Sequence, residues 1–260
     1  MRPCLIEATT IGDAYFTLLS NLWRDGIRTP VDIGSHAGSN RLEFMFAAGV
    51  IHYPHVRPLA PIFPEGVPPV TTDEAISEYF ANYLMDPNPA SNEEYRYSQW
   101  INGEIKDWKN SYIDEIKVGK IVVDRRIVTP IFPYTQLEWC IRHFKEKGFG
   151  NNHCYIKVGN PESCFNYDIP FTNETERRTT PCLQGVDLKI KNGKLILGVV
   201  FRSWDLYGGF GENIGGMTLL NEYIAEELGI SPGPITFASQ GLHCYDHQIL
   251  PLKAILHIED

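Results

Sequence analysis

The chain has 260 residues, of which 43% are hydrophobic and 21% charged, a composition ordinary for a soluble globular protein. Its net charge of −9 argues against non-specific nucleic-acid binding, which needs a basic surface. No apolar run reaches the length of a membrane span, and no signal-peptide core follows Met1. We therefore expect a cytoplasmic protein that binds neither membranes nor nucleic acid.

Two helices are predicted in the first hundred residues, with irregular chain between them. Ile11–Trp23 carries apolar residues at helical spacing and stops at Asp25-Gly26. Residues 27–30 are predicted to form a loop. The Pro-rich stretch 54–72 is predicted to cross the surface in an extended form, and Asp73–Leu84 to be the second helix.

A third predicted helix precedes a long loop. Thr135–Glu138 has a capping-box pattern and Gly148 supplies a C-terminal stop, so the apolar stripe between them is predicted to be helical. Residues 159–180 are polar and interrupted by prolines. They predict a long loop that delivers the chain to Cys182, and long loops of this kind are often functional.

A β-hairpin is predicted after Cys182. Residues 186–190 and 195–201 alternate apolar and polar side chains on either side of the turn sequence Asn192-Gly193. The hairpin places Cys182 just before its first strand and Arg202 just after its second strand. We therefore expect Cys182 and Arg202 to be neighbours in space.

The C-terminal part adds one helix and one strand. Met217–Leu228 has the clearest helical pattern of the chain, and Gly229 ends it. Ile235–Tyr245 is predicted to be a further strand. Strands mixed with a few long helices indicate an α+β architecture. Nothing in the sequence argues for a second domain, so residues 1–260 are expected to form one.

Four short motifs in the last third of the chain carry functional groups. An arginine beside a cysteine stabilises the thiolate, which is the nucleophilic form. An arginine followed by a serine offers two kinds of hydrogen-bond donor to a phosphate. The segment therefore predicts a nucleophile next to an anionic substrate. In chain order the motifs are Pro181-Cys182, Arg202-Ser203-x-Asp205, Asn213 and His243-x-Tyr245.

The six cysteines include no CxxC pair, so a disulfide framework and a metal site are both unexpected. The common fate of a single cysteine is a buried, inert side chain. This is expected for Cys140, and also for Cys244, which alternates with His243 and Tyr245 and so points away from them. Cys182 differs because its surroundings are polar, and a buried structural thiol stays the alternative for it.

The order and spacing of the four motifs resemble the thymidylate synthase and pyrimidine nucleotide hydroxymethylase family. Asn213 follows Arg202 by eleven residues, and His243 follows Asn213 by thirty, as in that family. The local sequence Phe-Arg-Ser-Trp-Asp-Leu-Tyr-Gly-Gly-Phe looks most like that of the short archaeal-type and phage-type members. The resemblance implies a thymidylate-synthase-like α+β fold, with a mixed sheet flanked by helices, in a homodimer whose sheets pack face to face.

The resemblance also implies a transferase mechanism. Cys182 attacks C6 of a pyrimidine nucleoside 5′-monophosphate, and the activated C5 takes one carbon from 5,10-methylenetetrahydrofolate. The other implied catalytic residues are Arg202, Tyr97 and Glu78. The implied nucleotide contacts are Arg28, Arg202, Ser203, Asn213, His243 and Tyr245, and the implied folate contacts are Asp205 and Gly209.

Three of these assignments have alternatives. Asn213 offers a donor and an acceptor that match uracil and not cytosine, but it is also a typical N-cap for the following helix. Glu78 can be an ordinary solvated helix residue. The arginine pair that family members supply from the partner subunit is replaced by Asn151-Asn152-His153. Arg125-Arg126 and Arg177-Arg178 are the two candidates to take its place.

Three functions compete on this sequence. The first is thymidylate synthase, which converts dUMP to dTMP. The second is a hydroxymethylase acting on dUMP, dCMP or CMP, in which water captures the exocyclic methylene. The departures Leu183, Phe201 and Glu212, and the short stretch after Tyr245, keep it close. The third is an inactive nucleotide- or RNA-binding relative, against which the retention of all four motifs and the acidic charge argue.

Overall fold

The computed structural model describes residues 2–32, 36–91, 93, 95–103, 112–118, 120–128, 134–160 and 180–258. The strands are β1 Cys4–Ala8, β2 Ile27–Pro30, β3 Asn40–Phe44, β4 Ala47–Ile51, β5 Tyr112–Val118, β6 Ile121–Val128, β7 Tyr155–Lys157, β8 Leu183–Lys191, β9 Lys194–Phe201, β10 Trp204–Asp205, β11 Ser231–Ser239 and β12 Leu242–Tyr245. The helices are α1 Ile11–Asp25, α2 Asp73–Glu78, α3 Ser98–Ile101, α4 Gln136–Lys147, α5 Phe210–Leu228 and α6 Ile249–Ile255, with a π-helix at Tyr79–Met85 and a 3₁₀ turn at Asp246–Gln248.

A six-stranded mixed sheet in the order β1-β4-β11-β9-β8-β7 is the framework of the fold. Within it β1 and β4 are parallel, as are β9 and β11, and the other neighbours are antiparallel. A smaller sheet has the order β10-β12-β3-β2, and β5 pairs with β6 alone. Mixed sheets with flanking helices confirm the predicted α+β class.

The core lies where α1 and α5 pack on the six-stranded sheet. The helices contact each other, α1 contacts β1, and α5 contacts β9 and β11. Burial of a leucine-sized side chain contributes about 1.5–3 kcal/mol, so these rows hold the layers together. The helix row is Ala14, Tyr15, Leu18, Leu19 and Leu22, and the β9 row is Leu195, Leu197, Val199 and Phe201. Among the described helices none is long and apolar enough to cross a bilayer.

Local signals predicted three elements correctly. The apolar stripe of α1 is buried, and Gly26 caps its end. The capping box between Thr135 and Glu138 is present at the start of α4, and Gly148 ends that helix with a φ of 85°. The β8–β9 turn has positive φ at Asn192 (53°) and Gly193 (70°), as a tight hairpin turn requires.

The predicted loop at residues 27–30 is wrong, because this segment is strand β2. It pairs antiparallel with β3, with Arg28 opposite Leu42. The strand is four residues long and lies at the edge of the four-stranded sheet. Pro30 is tolerated there because one side of the strand has no ladder partner among the described residues. The pairing joins segments ten residues apart, which local propensity does not reveal.

The C-terminal boundaries also differ from the prediction. Helix α5 begins at Phe210, seven residues before the predicted start at Met217. The earlier start was missed because its first turns are rich in glycine, which has a low helix propensity. The predicted single strand 235–245 is two strands, which break at residues 240–241 and belong to different sheets. The predicted helix 73–84 exists, but its second half is a π-helix.

Glycines explain why α5 runs through a sequence of low helix propensity. A Cβ at Gly215 would lie 2.7–2.9 Å from atoms of Ile76, and a Cβ at Gly216 would lie 2.5 Å from the ring of Tyr79. These two glycines let α2 and the π-helix approach α5 closely. The close approach positions Tyr79 beside the start of α5, which carries Asn213.

Candidate active site

The hairpin brings Cys182 and Arg202 together, as predicted. Leu183 pairs with Phe201 at the open end of the hairpin, so the residues before β8 and after β9 are adjacent. The Arg202 N–H donates to the carbonyl of Cys182 at 2.9 Å. The nucleophile candidate and its cation therefore share one backbone hydrogen bond.

Arg202 braces the chain segment that carries the thiol. Its Nε donates to the carbonyl of Pro181 at 3.1 Å, and its Nη2 donates to the carbonyl of Thr180 at 2.8 Å. Two of the three guanidinium nitrogens thus hold the backbone just before Cys182. The third nitrogen, Nη1, lies outside these two contacts and is the group suited to an incoming phosphate.

Burial outweighs the positive charge at the thiol. Burial raises the pKa of Cys182, while the charge of Arg202 and a hydrogen bond with Tyr95 lower it, and the net pKa is above the ordinary cysteine value. Arg202 does lower the thiol pKa, as expected. The expectation of a net depressed thiol pKa is wrong, because burial raises the pKa by more than Arg202 lowers it. At neutral pH the thiol is protonated, so its activation needs a further change at the site.

We expect alkylation of Cys182 by iodoacetamide to be slow at pH 7 and to increase with pH, with a midpoint above that of an ordinary cysteine. Only the thiolate reacts, and it forms above the raised pKa. Tyr95→Phe removes one of the two lowering contributions, so its midpoint should be higher still. Peptide mapping by mass spectrometry measures the rate at Cys182 alone. A wild-type midpoint below that of free cysteine would contradict this electrostatic description.

A group of tyrosines lies against the thiol segment. The Tyr97 hydroxyl accepts a hydrogen bond from the Leu183 N–H at 3.3 Å. The ring of Tyr97 packs edge-on against Tyr83 at 5.1 Å and lies 5.8 Å from Tyr95. Burial raises the pKa of Tyr97, Tyr83 and Tyr95, so all three phenols are neutral at physiological pH. Tyr97 therefore lies against the segment that carries Cys182, and its catalytic role stays a prediction.

Two residues of this group were missed by the sequence analysis. Tyr95 hydrogen-bonds with Cys182, and the ring of Tyr83 packs against those of Tyr95 and Tyr97. The spacing Tyr95-x-Tyr97 was a visible signal, because in a strand it places two rings on one face. In the structure this segment is a turn that leads into α3, and the periodicity of apolar residues does not predict side-chain directions in a turn.

His243 presents an unpaired acceptor on β12. Its Nδ1 lies 2.9 Å from the carbonyl of Gly241, which can only accept, so Nδ1 carries the proton. Burial lowers the pKa of His243, so the ring is neutral. Its Nε2 is buried and has no partner among the described residues. A neutral imidazole nitrogen in this state is ready to accept from a ligand hydroxyl.

Asp205 and Tyr245 flank His243. Asp205 is opposite His243 in the β10–β12 pair, and its carboxylate accepts from Gln248 Nε2 at 3.0 Å and from the Gly208 N–H at 3.1 Å. The Tyr245 ring packs edge-on against His243 at 4.7 Å. Both predicted residues therefore line the same end of the small sheet. Cys244, between His243 and Tyr245 in the sequence, is buried, as predicted from the alternation. Burial raises the pKa of its thiol.

Asn213 lies in the first turn of α5, whose N-cap is Gly209. The alternative assignment of Asn213 as the N-cap is therefore wrong. Its Oδ1 accepts from the indole N–H of Trp204 at 2.9 Å, and its backbone N–H donates to Gly209. A Cβ at Gly209 would lie 3.1 Å from the carbonyl of Asp205, a tight contact, and at an ordinary 3.4 Å from that Oδ1. Ser203 is half-buried between Arg202 and Trp204.

Two predicted residues are not brought to Cys182. Arg28 lies on the edge strand β2, is 66% exposed, and pairs with Asp246, the residue after Tyr245. Glu78 ends α2 with an exposed side chain, and no hydrogen bond within the described residues joins it to the tyrosine group. Neither position excludes a ligand contact, so their roles stay predictions.

The candidate replacements for the partner-subunit arginines differ in what the structure describes. Arg177-Arg178 and the side chain of Arg126 lie outside the described residues. Arg125 is exposed on β6. In the Asn151-Asn152-His153 segment, the Asn151 side chain accepts from the His153 N–H at 3.1 Å and the His153 ring meets His143 at 3.3 Å between nitrogens.

Comparisons with known proteins bear on the part of the chain that holds Cys182, Arg202 and Asn213. Residues 163–259 match the family model described as thymidylate synthase. Over this segment the chain is similar to that family. Curated archaeal proteins named "Putative thymidylate synthase" are similar over most of both chains: one from Methanococcoides burtonii is 29% identical over 97% of this chain and 94% of its own, and one from Methanosarcina acetivorans is 27% identical over 94% and 90%.

A solved structure agrees with the fold assignment. Thermostable thymidylate synthase A from Bacillus subtilis matches 97% of this chain and 86% of its own with a TM-score of 0.64, at 16% identity. Similarity at this identity shows the thymidylate synthase fold. Together with the archaeal relatives it confirms the resemblance drawn from the four motifs.

Proposed function

We propose that this protein methylates dUMP to dTMP through a covalent bond between Cys182 and C6 of the base. The observation that carries the proposal is the pairing of Cys182 with Arg202, whose guanidinium holds the two carbonyls before the thiol. A cysteine held beside a cation is an arrangement that favours nucleophilic catalysis. The family supports pyrimidine one-carbon transfer; the methyl product is our proposal.

The nucleotide would lie across the hairpin end and the small sheet. Arg202 and Ser203 would bind the phosphate, with Arg28 as a second cation. With the phosphate bound, the Arg202 guanidinium would still lie beside the Cys182 thiol, where its positive charge favours the thiolate. His243 Nε2 would accept from the sugar 3′-hydroxyl, since it is a buried acceptor without a partner among the described residues. Deoxyribonucleotides and ribonucleotides both carry that hydroxyl.

The base chemistry follows from the groups around Cys182. The thiolate forms a bond to C6, and the electron pair of the C5–C6 double bond moves towards O4, which makes C5 nucleophilic. Folate in its 5,10-methylene form supplies the carbon and the hydride. Asp205 and Gly209 would hold the pterin, and a carboxylate with spare lone pairs fits its N–H groups. Tyr97 would relay the C5 proton as a neutral phenol, and Glu78 would order water near the base.

We expect Asn213→Asp to shift preference from dUMP towards dCMP. One carboxylate oxygen still accepts from Trp204, but the other replaces the N–H donor that O4 of uracil needs. The unpaired buried group should change the relative free energy of binding by about 1–3 kcal/mol. The measurement is kcat/KM for both nucleotides with both proteins at one folate concentration. A wild type that prefers dCMP would overturn this assignment.

The hydroxymethylase is the second candidate, and Glu212 is the observation that favours it. This residue is half-buried next to Asn213, and burial raises the pKa of its carboxyl. A polar group at this position can hold a water molecule near C5, where water competes with hydride for the methylene. The same adduct at Cys182 would then yield a 5-hydroxymethyl nucleotide.

We also propose that residues 1–260 act as one cytoplasmic domain in a homodimer. In β9 the residues between the buried ones, Ile196, Gly198 and Val200, are half-exposed on the opposite face of the sheet. Their register neighbours, Asp187 and Thr236 beside Gly198 and Lys189 beside Ile196, make this a mixed apolar and polar face. The homodimer itself is what the resemblance to the family implies.

Intact-mass spectrometry with 5-fluoro-dUMP tests the proposal. Fluorine at C5 cannot leave as a proton does, so the adduct should persist in the presence of 5,10-methylenetetrahydrofolate. We expect the wild type to gain the mass of nucleotide plus folate, and peptide mapping to place it on Cys182. Absence of any adduct, with binding of dUMP shown separately, would exclude nucleophilic addition at this site.

A further inference from the structure

The Trp204 ring occupies a fixed position beside the base-reading amide. It is 2% exposed and stacks on Phe201, with centroids 3.9 Å apart and an interplanar angle of 8°. Phe210 and Phe237 pack against it at 4.8 and 6.1 Å. Because aromatic rings surround the indole, its only polar atom, Nε1, has a fixed direction.

That atom dictates the orientation of the Asn213 amide. Nε1 donates to Oδ1 at 2.9 Å. An indole nitrogen is a donor and never an acceptor, so the amide oxygen and not the amide nitrogen must face it. At most sites the two ends of an amide are hard to distinguish, but here the chemistry of the partner distinguishes them. Trp204 thus holds the oxygen end of Asn213.

Tyr79 lies near the same amide. Its hydroxyl is buried and makes no well-formed hydrogen bond among the described residues. Burial raises the pKa of Tyr79, and the nearby Asn213 side chain opposes that rise. The hydrogen bond from Trp204 therefore remains the contact that orients the amide.

We propose that Trp204 is a positioning residue that determines base specificity by preventing rotation of the Asn213 amide. The inference rests on the proposed function, in which Asn213 reads the base. Uracil presents the N3–H donor and the O4 acceptor, whereas cytosine presents an N3 acceptor and an amino donor. The amide serves cytosine only after a half-turn. That half-turn would set two donors, the amide N–H and the indole N–H, against each other in a buried corner.

Calorimetric titration of dUMP and dCMP without folate tests this inference. Trp204→Phe keeps an aromatic ring and removes the N–H. We expect the wild type to prefer dUMP and the variant to lose at least about tenfold of that preference, mainly by binding dCMP more tightly. Phe237→Leu is the matched control, because it loosens the packing around Trp204 and keeps the N–H. It should lower the melting temperature and leave the preference unchanged.

The outcomes separate the inference from the function on which it rests. If Trp204→Phe keeps the wild-type preference, the inference is overturned and the proposed function stands. If Phe237→Leu loses the preference equally, packing and not the N–H sets it, which also overturns the inference. A wild type that binds neither nucleotide overturns both. If Trp204→Phe does not fold, the tryptophan analogue with sulfur in place of the indole nitrogen, incorporated at position 204, keeps the shape and should give the same loss of preference.

Discussion

Cys182→Ser should abolish turnover and leave nucleotide binding nearly unchanged. A serine hydroxyl has about the size of the thiol but ionises far less readily, so the bond to C6 does not form. Removal of the nucleophile from a protease costs on the order of 10⁶-fold in kcat, and a loss of that order is expected here. The measurements are kcat with dUMP and 5,10-methylenetetrahydrofolate, and Kd for dUMP by calorimetry.

Cys4→Ser is the matched control for this variant. Cys4 is buried, whereas Cys182 is half-buried. Cys4 lies on β1, and its sulfur meets the Asn21 side chain at 3.8 Å, a partner that a hydroxyl can keep. We expect it to retain most of the wild-type kcat. Activity of Cys182→Ser close to that of Cys4→Ser would show that Cys182 is a structural thiol.

Arg202→Ala should raise KM for the nucleotide and lower kcat together. The guanidinium braces the carbonyls of Thr180 and Pro181 and lowers the thiol pKa, so its loss affects the phosphate, the loop and the nucleophile. Removal of one partner from a desolvated charged contact costs about 2–5 kcal/mol in binding. Steady-state kinetics and dUMP calorimetry measure the two effects.

Arg202→Lys separates charge from geometry. Lysine keeps the positive charge but has a single nitrogen and cannot hold both carbonyls while it meets a phosphate. We expect its Kd for dUMP to be closer to wild type than that of Arg202→Ala, while kcat stays low. Unchanged dUMP affinity in Arg202→Ala would place Arg202 outside the phosphate site.

Local signals were sufficient for the elements that present the nucleophile. The turn at Asn192-Gly193 fixed the register of the β8–β9 hairpin, and that register alone placed Cys182 beside Arg202. The helix α4 was bounded by its capping box and Gly148 for the same reason. A tight turn and a helix cap depend on residues that are close in the sequence, so both can be predicted from a single sequence.

The rest of the site depends on tertiary contacts that the sequence does not display. Strand β2 exists because β3 pairs with it, and the glycine-rich start of α5 is stable because Ile76 and Tyr79 fill the space above it. Tyr95 reaches Cys182 through an irregular turn. Burial is the largest influence on the pKa of Cys182. The arginine motif in the sequence indicates a neighbouring charge but not how deeply the thiol is buried.

The product made by the wild-type protein from dUMP and 5,10-methylenetetrahydrofolate tests the central claim most directly. Mass spectrometry of the nucleotide and absorbance of the folate are read in one reaction, with Cys182→Ser as the blank. We expect a nucleotide heavier by one CH₂ group, together with dihydrofolate. A nucleotide heavier by one CH₂O group with tetrahydrofolate would contradict the methyl product and favour the hydroxymethylase. No change to dUMP, dCMP or CMP would contradict one-carbon transfer altogether.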